Sequence, residues 1–117
     1  MSPGKSASVG SKVNNAPSGG EPELWTSFQK RGTVELLMLL TSDEELRMRD
    51  VVLAFPGIAK QTLVNRLNEL GSLGIVNRRG ENGPPVSTWY SLTALGTELA
   101  GAAEILTRVG DKVSRRE

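Results

Sequence analysis

Between Ala59 and Ser72 the sequence AKQTLVNRLNELGS sets its leucines at helical spacing. At 100° per residue, Leu63, Leu67, Leu70 and the following Gly74 fall within about 60° of one another. Gln61, Asn65, Asn68 and Ser72 lie on the opposite side, with Thr62 and Val64 on its flanks. A helix of this pattern buries one face and leaves a row of carboxamides uncovered. Pro56-Gly57 just before it is a turn signal, and Gly71 and Gly74 weaken and then end it.

The neighbouring segments constrain the fold further. In LWTSFQKRGTVELLMLL, residues 24–40, apolar side chains recur at spacings near three and four, interrupted by Gly32, which predicts a helix from about Gly32 to Leu40. TSDEE breaks it, and LRMRDVVLAF predicts a short helix from about Met48 to the Pro-Gly turn. IVNRR and VSTWYSL alternate as short strands around the turn-forming GENGPP. TALGTELAGAAEILTRV predicts a final amphipathic helix with Thr93 as its N-cap. Residues 1–22 are rich in Ser, Gly, Pro and Asn, with almost nothing to bury, and are expected to form a disordered tail. Its Lys5 and Lys12 could brush phosphates, or the tail could be a plain solubilising leader. A single domain is expected over residues 23–110, with a flexible end at 111–117. The fold class is mainly α with a small β-hairpin, in the order helix, helix, turn, helix, two strands, helix.

Composition excludes several kinds of chemistry. The chain has neither cysteine nor histidine, so disulfides, thiol switching, Cys/His zinc sites and imidazole-dependent nucleophiles are ruled out. The acids at positions 43–45 have no metal-ligand spacing, and GENG lacks the Lys-Ser/Thr of a nucleotide loop. No catalytic residue, metal site or cofactor is therefore expected, and the chain is not expected to be an enzyme. Its longest apolar run, Leu36–Leu40, is far short of the ~20 residues of a membrane span. The opening MSPGKSASVGSK lacks the apolar stretch of a secretory leader. A soluble, cytoplasmic protein without membrane contact is expected.

Net charge is only +1, but it is unevenly spread. Between Leu46 and Arg79 there are six basic residues and two acidic ones, a local +4. That is the electrostatic footprint of a nucleic-acid binder. A short helix, a turn and a second helix with a polar outer face suggest a helix-turn-helix, and the hairpin behind it suggests the winged form. The major groove admits an α-helix, and carboxamides can both donate to and accept from an adenine edge. Gln61, Thr62, Asn65 and Asn68 are thus the candidates for base contact. Lys60, Arg66, Arg47, Arg49, Arg78 and Arg79 are the candidates for phosphate or minor-groove contact. Each feature has a plainer explanation as well. A polar helix face is commonly just solvated, paired arginines commonly end a strand, and Trp89-Tyr90 commonly packs. The conjunction on one topology favours double-stranded DNA as the partner.

The stretch LRMRDVVLAFPGIAKQTLVNRLNELGSLGIVNRR followed by PPVSTWYSLTALG resembles the HxlR-type winged helix-turn-helix regulators, relatives of the MarR type. The matching positions are Pro56, Gly57, Ile58, Leu63, Arg66, Leu67, Glu69, Leu70, Gly74, Ile75, Val76, Arg78, Pro84, Pro85, Tyr90, Ser91, Leu92, Thr93 and Gly96. The likeness covers about residues 32–106. It implies a transcriptional regulator whose recognition helix is the 59–72 segment. It also implies a homodimer built from the first and last helices, spaced for a palindromic site. Leu24, Trp25 and Phe28 with Leu99, Ala103 and Leu106 could supply that interface, or could form ordinary core. The chain departs from the pattern at Ala59, where relatives carry a capping Ser, at a typical cost of ~1 kcal/mol. The segment between Pro85 and Tyr90 is one residue longer. The sensor cysteine many relatives carry near the first helix is missing, which excludes that mode of sensing and leaves the dimer interface as the place where a small-molecule effector could sit. The alternative is a winged helix used for protein docking. Such a surface would expose apolar side chains on the helix face, where only Val64 does so.

Overall fold

The computed structural model describes residues 20–42, 45–83 and 87–116. Most of the expected tail, with Lys5 and Lys12, and the two prolines of the turn lie outside them. The elements are α1 (Glu21–Gln29), α2 (Thr33–Ser42), β1 (Leu46–Arg47), α3 (Met48–Ala54), α4 (Lys60–Ser72), β2 (Val76–Glu81), β3 (Ser87–Leu92) and α5 (Ala94–Ser114). The mainly helical winged helix-turn-helix expected from the sequence is present, with two additions. The apolar pattern of residues 24–40 is two helices, because Gly32 adopts φ +96°, a left-handed conformation that costs glycine little. The sheet has three strands in the order β1-β3-β2, all antiparallel, because Leu46 and Arg47 pair with Tyr90 and Trp89. A two-residue strand is too short for an alternation pattern to reveal it.

α2 is the central helix. Leu36, Leu37 and Leu40 are buried, and around them pack Val51 of α3, Leu63, Leu67 and Leu70 of α4, Tyr90 of β3, and Ala100 and Ala103 of α5. α1 begins at Glu21, inside the last residues of the expected tail, and α5 runs on to Ser114, past the expected boundary at 110.

The chain turns sharply where α4 meets the wing. Ile75 N–H bonds to the Leu70 carbonyl (2.9 Å) and Gly74 N–H to that of Gly71 (3.1 Å), with Gly74 at φ +77°. This is a Schellman ending, sealed by the buried Ile75 and Leu70 side chains. Thr93 caps α5 as expected, its Oγ1 accepting from Gly96 N–H at 2.9 Å. The same hydroxyl donates to the Gly74 carbonyl (2.6 Å), and Thr93 N–H donates to that of Ile75 (3.0 Å). One residue thus joins the end of α4, the root of the wing and the start of α5.

Candidate nucleic-acid interface

α4 seats its leucines in the core and turns Gln61, Asn65, Asn68 and Ser72 to solvent. No part of the described chain covers this face. Gln61 Nε2 donates to Asn65 Oδ1 at 3.0 Å, so the two amides form a preset pair one turn apart. Thr62 is half-buried on the flank. Ala59 offers no side-chain cap, as its chemistry required, which leaves the first N–H groups of α4 without one. The turn before α4 is held from a distance, by Arg31 Nη2 donating to the Gly57 carbonyl at 2.9 Å.

The six basic candidates divide into two groups. Arg49, Lys60 and Arg78 are exposed and, among the described residues, have no hydrogen-bond or ion-pair partner. Arg47, Arg66 and Arg79 are engaged. The Arg66 side chain is only 17% exposed; its Nε donates to the Arg31 carbonyl (3.1 Å) and its Nη1 to both Glu69 oxygens (3.0 and 2.9 Å). Lys30 Nζ reaches the same carboxylate at 3.0 Å. Arg66, expected at phosphate, is therefore a strut fixing α4 to the α1–α2 junction. Partial desolvation pushes the Glu69 carboxyl up, but the bonds from Lys30 and Arg66 outweigh it and hold it below its ordinary value. The Arg66–Glu69 spacing of three along a helix was a readable signal; the partners Lys30 and Arg31 at the α1–α2 junction were not.

Arg78 and Arg79 do not act together, because successive strand residues point to opposite faces. Arg78 pairs across the sheet with Tyr90, and Arg79 with Trp89. Arg79 forms a fork with Glu45, Nε to Oε2 at 2.9 Å and Nη2 to Oε1 at 2.8 Å, and its Nη1 reaches Glu81 at 3.2 Å. Its guanidinium lies 5.4 Å from the Trp89 ring centroid, and that of Arg47 lies 5.3 Å from it. Trp89 Nε1 donates to Glu81 at 3.1 Å. The bonds from Arg79 lower the Glu45 carboxyl; those from Trp89 and then Arg79 lower that of Glu81. A carboxylate depressed in the fold keeps its pairing above the ordinary carboxylate range and loses it only as pH falls through the depressed value. At neutral pH this network is closed.

The expected dimerisation residues also divide. Trp25 is 66% and Leu106 53% exposed, while Leu24, Phe28 and Leu99 are half-buried around an open groove of about 230 Å³. Ala103 is 0% exposed inside its own chain, beneath α2, so it is core and not interface. Beyond it α5 leaves the domain, with Ile105, Val109 and Val113 also exposed. Leu99, Ala102, Leu106, Val109 and Val113 follow a three-four spacing, the pattern of a helix–helix seam, which reading Ala103 as interface had obscured. Leu53 on α3 is exposed too, and no sequence signal marked it.

No helix among the described residues is long and apolar enough to cross a membrane. The profile of the HxlR-like helix-turn-helix family matches residues 28–117. The fold is similar to that of the reduced transcriptional regulator YodB from B. subtilis, at 24% identity and TM-score 0.70, covering 82% of this chain and 93% of that one. The redox regulator HypR in its reduced form is similar at 23% identity and TM-score 0.71, covering 80% and 94%. A MarR-family protein from Enterococcus faecalis V583 is similar at 24% identity and TM-score 0.67, covering 87% and 96%. At these identities the likeness to the solved structures is one of fold. No curated protein matches the chain.

Proposed function

Since the chain belongs to the HxlR-like helix-turn-helix family and is a DNA-binding transcription regulator, we propose that it binds a palindromic duplex as a cytoplasmic homodimer. Each subunit lays α4 in the major groove, where Gln61 and Asn65 read base edges and Asn68 and Thr62 lie alongside. Lys60 and the uncapped N–H groups of α4 meet phosphate at one end of the helix. Arg49 and Arg78 supply the remaining backbone contacts. The observation that carries this reading is the exposed, mutually bonded Gln61–Asn65 pair, which no fold requirement explains. α1 and α5 form the subunit interface, supported by the apolar seam along α5 and by exposed Trp25.

Fluorescence titration with genomic and mixed-sequence duplexes over a range of salt concentrations tests the proposal. With Arg49, Lys60 and Arg78 unpaired among the described residues of each subunit, a dimer making these contacts is expected to give a log–log salt slope of roughly −5. Gln61→Ala or Asn65→Ala is expected to cost ~1–3 kcal/mol at the base pairs read, and to relax discrimination there. Arg78→Ala should weaken all duplexes alike and make the slope shallower by about two for a dimer. Equal loss of specific and random binding from both kinds of variant would overturn this division of labour. A winged helix used for protein docking would show no salt-dependent duplex binding at all.

A further inference from the structure

The three-stranded sheet of the wing contains a second device, one that acts on the strength of DNA binding and rests on the reading just proposed. We propose that Glu45 and Glu81 cage Arg79 and withhold it from DNA phosphates, so that these two carboxylates set the strength and salt dependence of sequence-independent binding. They act by suppressing a phosphate contact that any duplex would offer.

Sheet order creates the cage. Arg47, Trp89 and Arg79 stand in one row across β1, β3 and β2. The indole backs both guanidinium groups and fastens Glu81 through its Nε1–H. Glu45, immediately before β1, closes the outer side with a two-point fork on Arg79. All three Arg79 nitrogens are thereby given to carboxylates. A single exposed ion pair holds little, but a bidentate fork in a network with a second acid and a ring is the exception to that rule. Arg78, one residue earlier, has no such partner among the described residues.

The consequence follows from how duplex binding gains free energy. A solvated cation that meets phosphate releases condensed counterions, the source of sequence-independent affinity. A cation already neutralised by two carboxylates must exchange one anion for another and releases almost none. Arg79 is therefore silent in non-specific binding, while the base-reading face of α4 is untouched. Silencing one cation per subunit lowers the sequence-independent part of the affinity for every duplex, and with it the salt dependence.

Four full-length proteins decide this: wild type, Arg79→Ala, Glu45→Gln and the double variant Glu45→Gln/Arg79→Ala. Each is titrated with a mixed-sequence duplex over a salt series, after circular dichroism confirms folding. Arg79→Ala is expected to keep the wild-type slope, unlike Arg78→Ala. Glu45→Gln is expected to steepen it by about one to two and to tighten random binding roughly tenfold at low salt. The double variant is expected to return to wild type. If Arg79→Ala makes the slope shallower, or if the Glu45→Gln effect persists without Arg79, the cage is overturned while the DNA-binding proposal stands. Failure of the wild type to bind any duplex overturns both.

Discussion

Leu106→Asp is expected to yield a folded monomer whose affinity for a palindromic duplex is lower by about 10²–10⁴-fold, with half-site contacts intact. Leu106 is more than half exposed and lies on the part of α5 that has left the domain, so nothing in its own core depends on it. In the proposed dimer it sits mid-seam, between Ala102 and Val109. A carboxylate there would have to be buried without a partner, which neutralises the group or prevents association. Two linked half-sites bind more tightly than one because the second event is intramolecular, and that advantage vanishes with the dimer. Native mass measurement and a duplex titration on the same sample check both halves of the expectation. A variant that remains dimeric by mass would place the subunit interface elsewhere.

The second large effect concerns Gly96. Helix propensity alone says that alanine there should stabilise α5 by ~1 kcal/mol. The structure reverses the sign. Gly96 is buried where α5 passes the wing root, and a Cβ at this position would be driven into the Ile75 carbonyl oxygen, with Leu92 Cδ2 at 3.1 Å. That oxygen cannot give way easily, since it accepts from Thr93 N–H and belongs to the residue closing the Schellman turn. Overpacking of this kind costs typically 1–3 kcal/mol and occasionally more, and against rigid backbone the upper end applies. Gly96→Ala is expected to be destabilising by about 2 kcal/mol net, with a midpoint drop of roughly 10 °C. Gly101→Ala and Gly110→Ala are the controls, because open space surrounds both, and each should gain up to ~1 kcal/mol. Urea and thermal unfolding distinguish the three. A Gly96→Ala protein as stable as the controls would mean that the α5–wing junction can open without cost.

Much of this molecule was legible before folding was considered. The α4 face was readable because a helix repeats every 3.6 residues whatever surrounds it, so leucines seven apart on one side force amides to the other. Thr93 was readable as a cap because capping is a bond between near neighbours. Where local rules ran short, neighbours in space decided. Ala103 has the spacing of an interface residue but lies beneath α2. Arg66 has the composition of a phosphate contact but spends its donors on Glu69 and the Arg31 backbone.

By itself, then, the sequence determined where α2 to α5 run and which face of α4 stays wet, and it offered Arg78 and Arg79 together as phosphate contacts. Only the tertiary structure decided which of those arginines is free. Glu45 and Arg79 are 34 residues apart, and they meet because β1 pairs with β3 and β3 with β2, setting Arg47, Trp89 and Arg79 in a row. Periodicity is a property of each segment alone, whereas the partner of a long charged side chain depends on the register between segments, which no single segment contains.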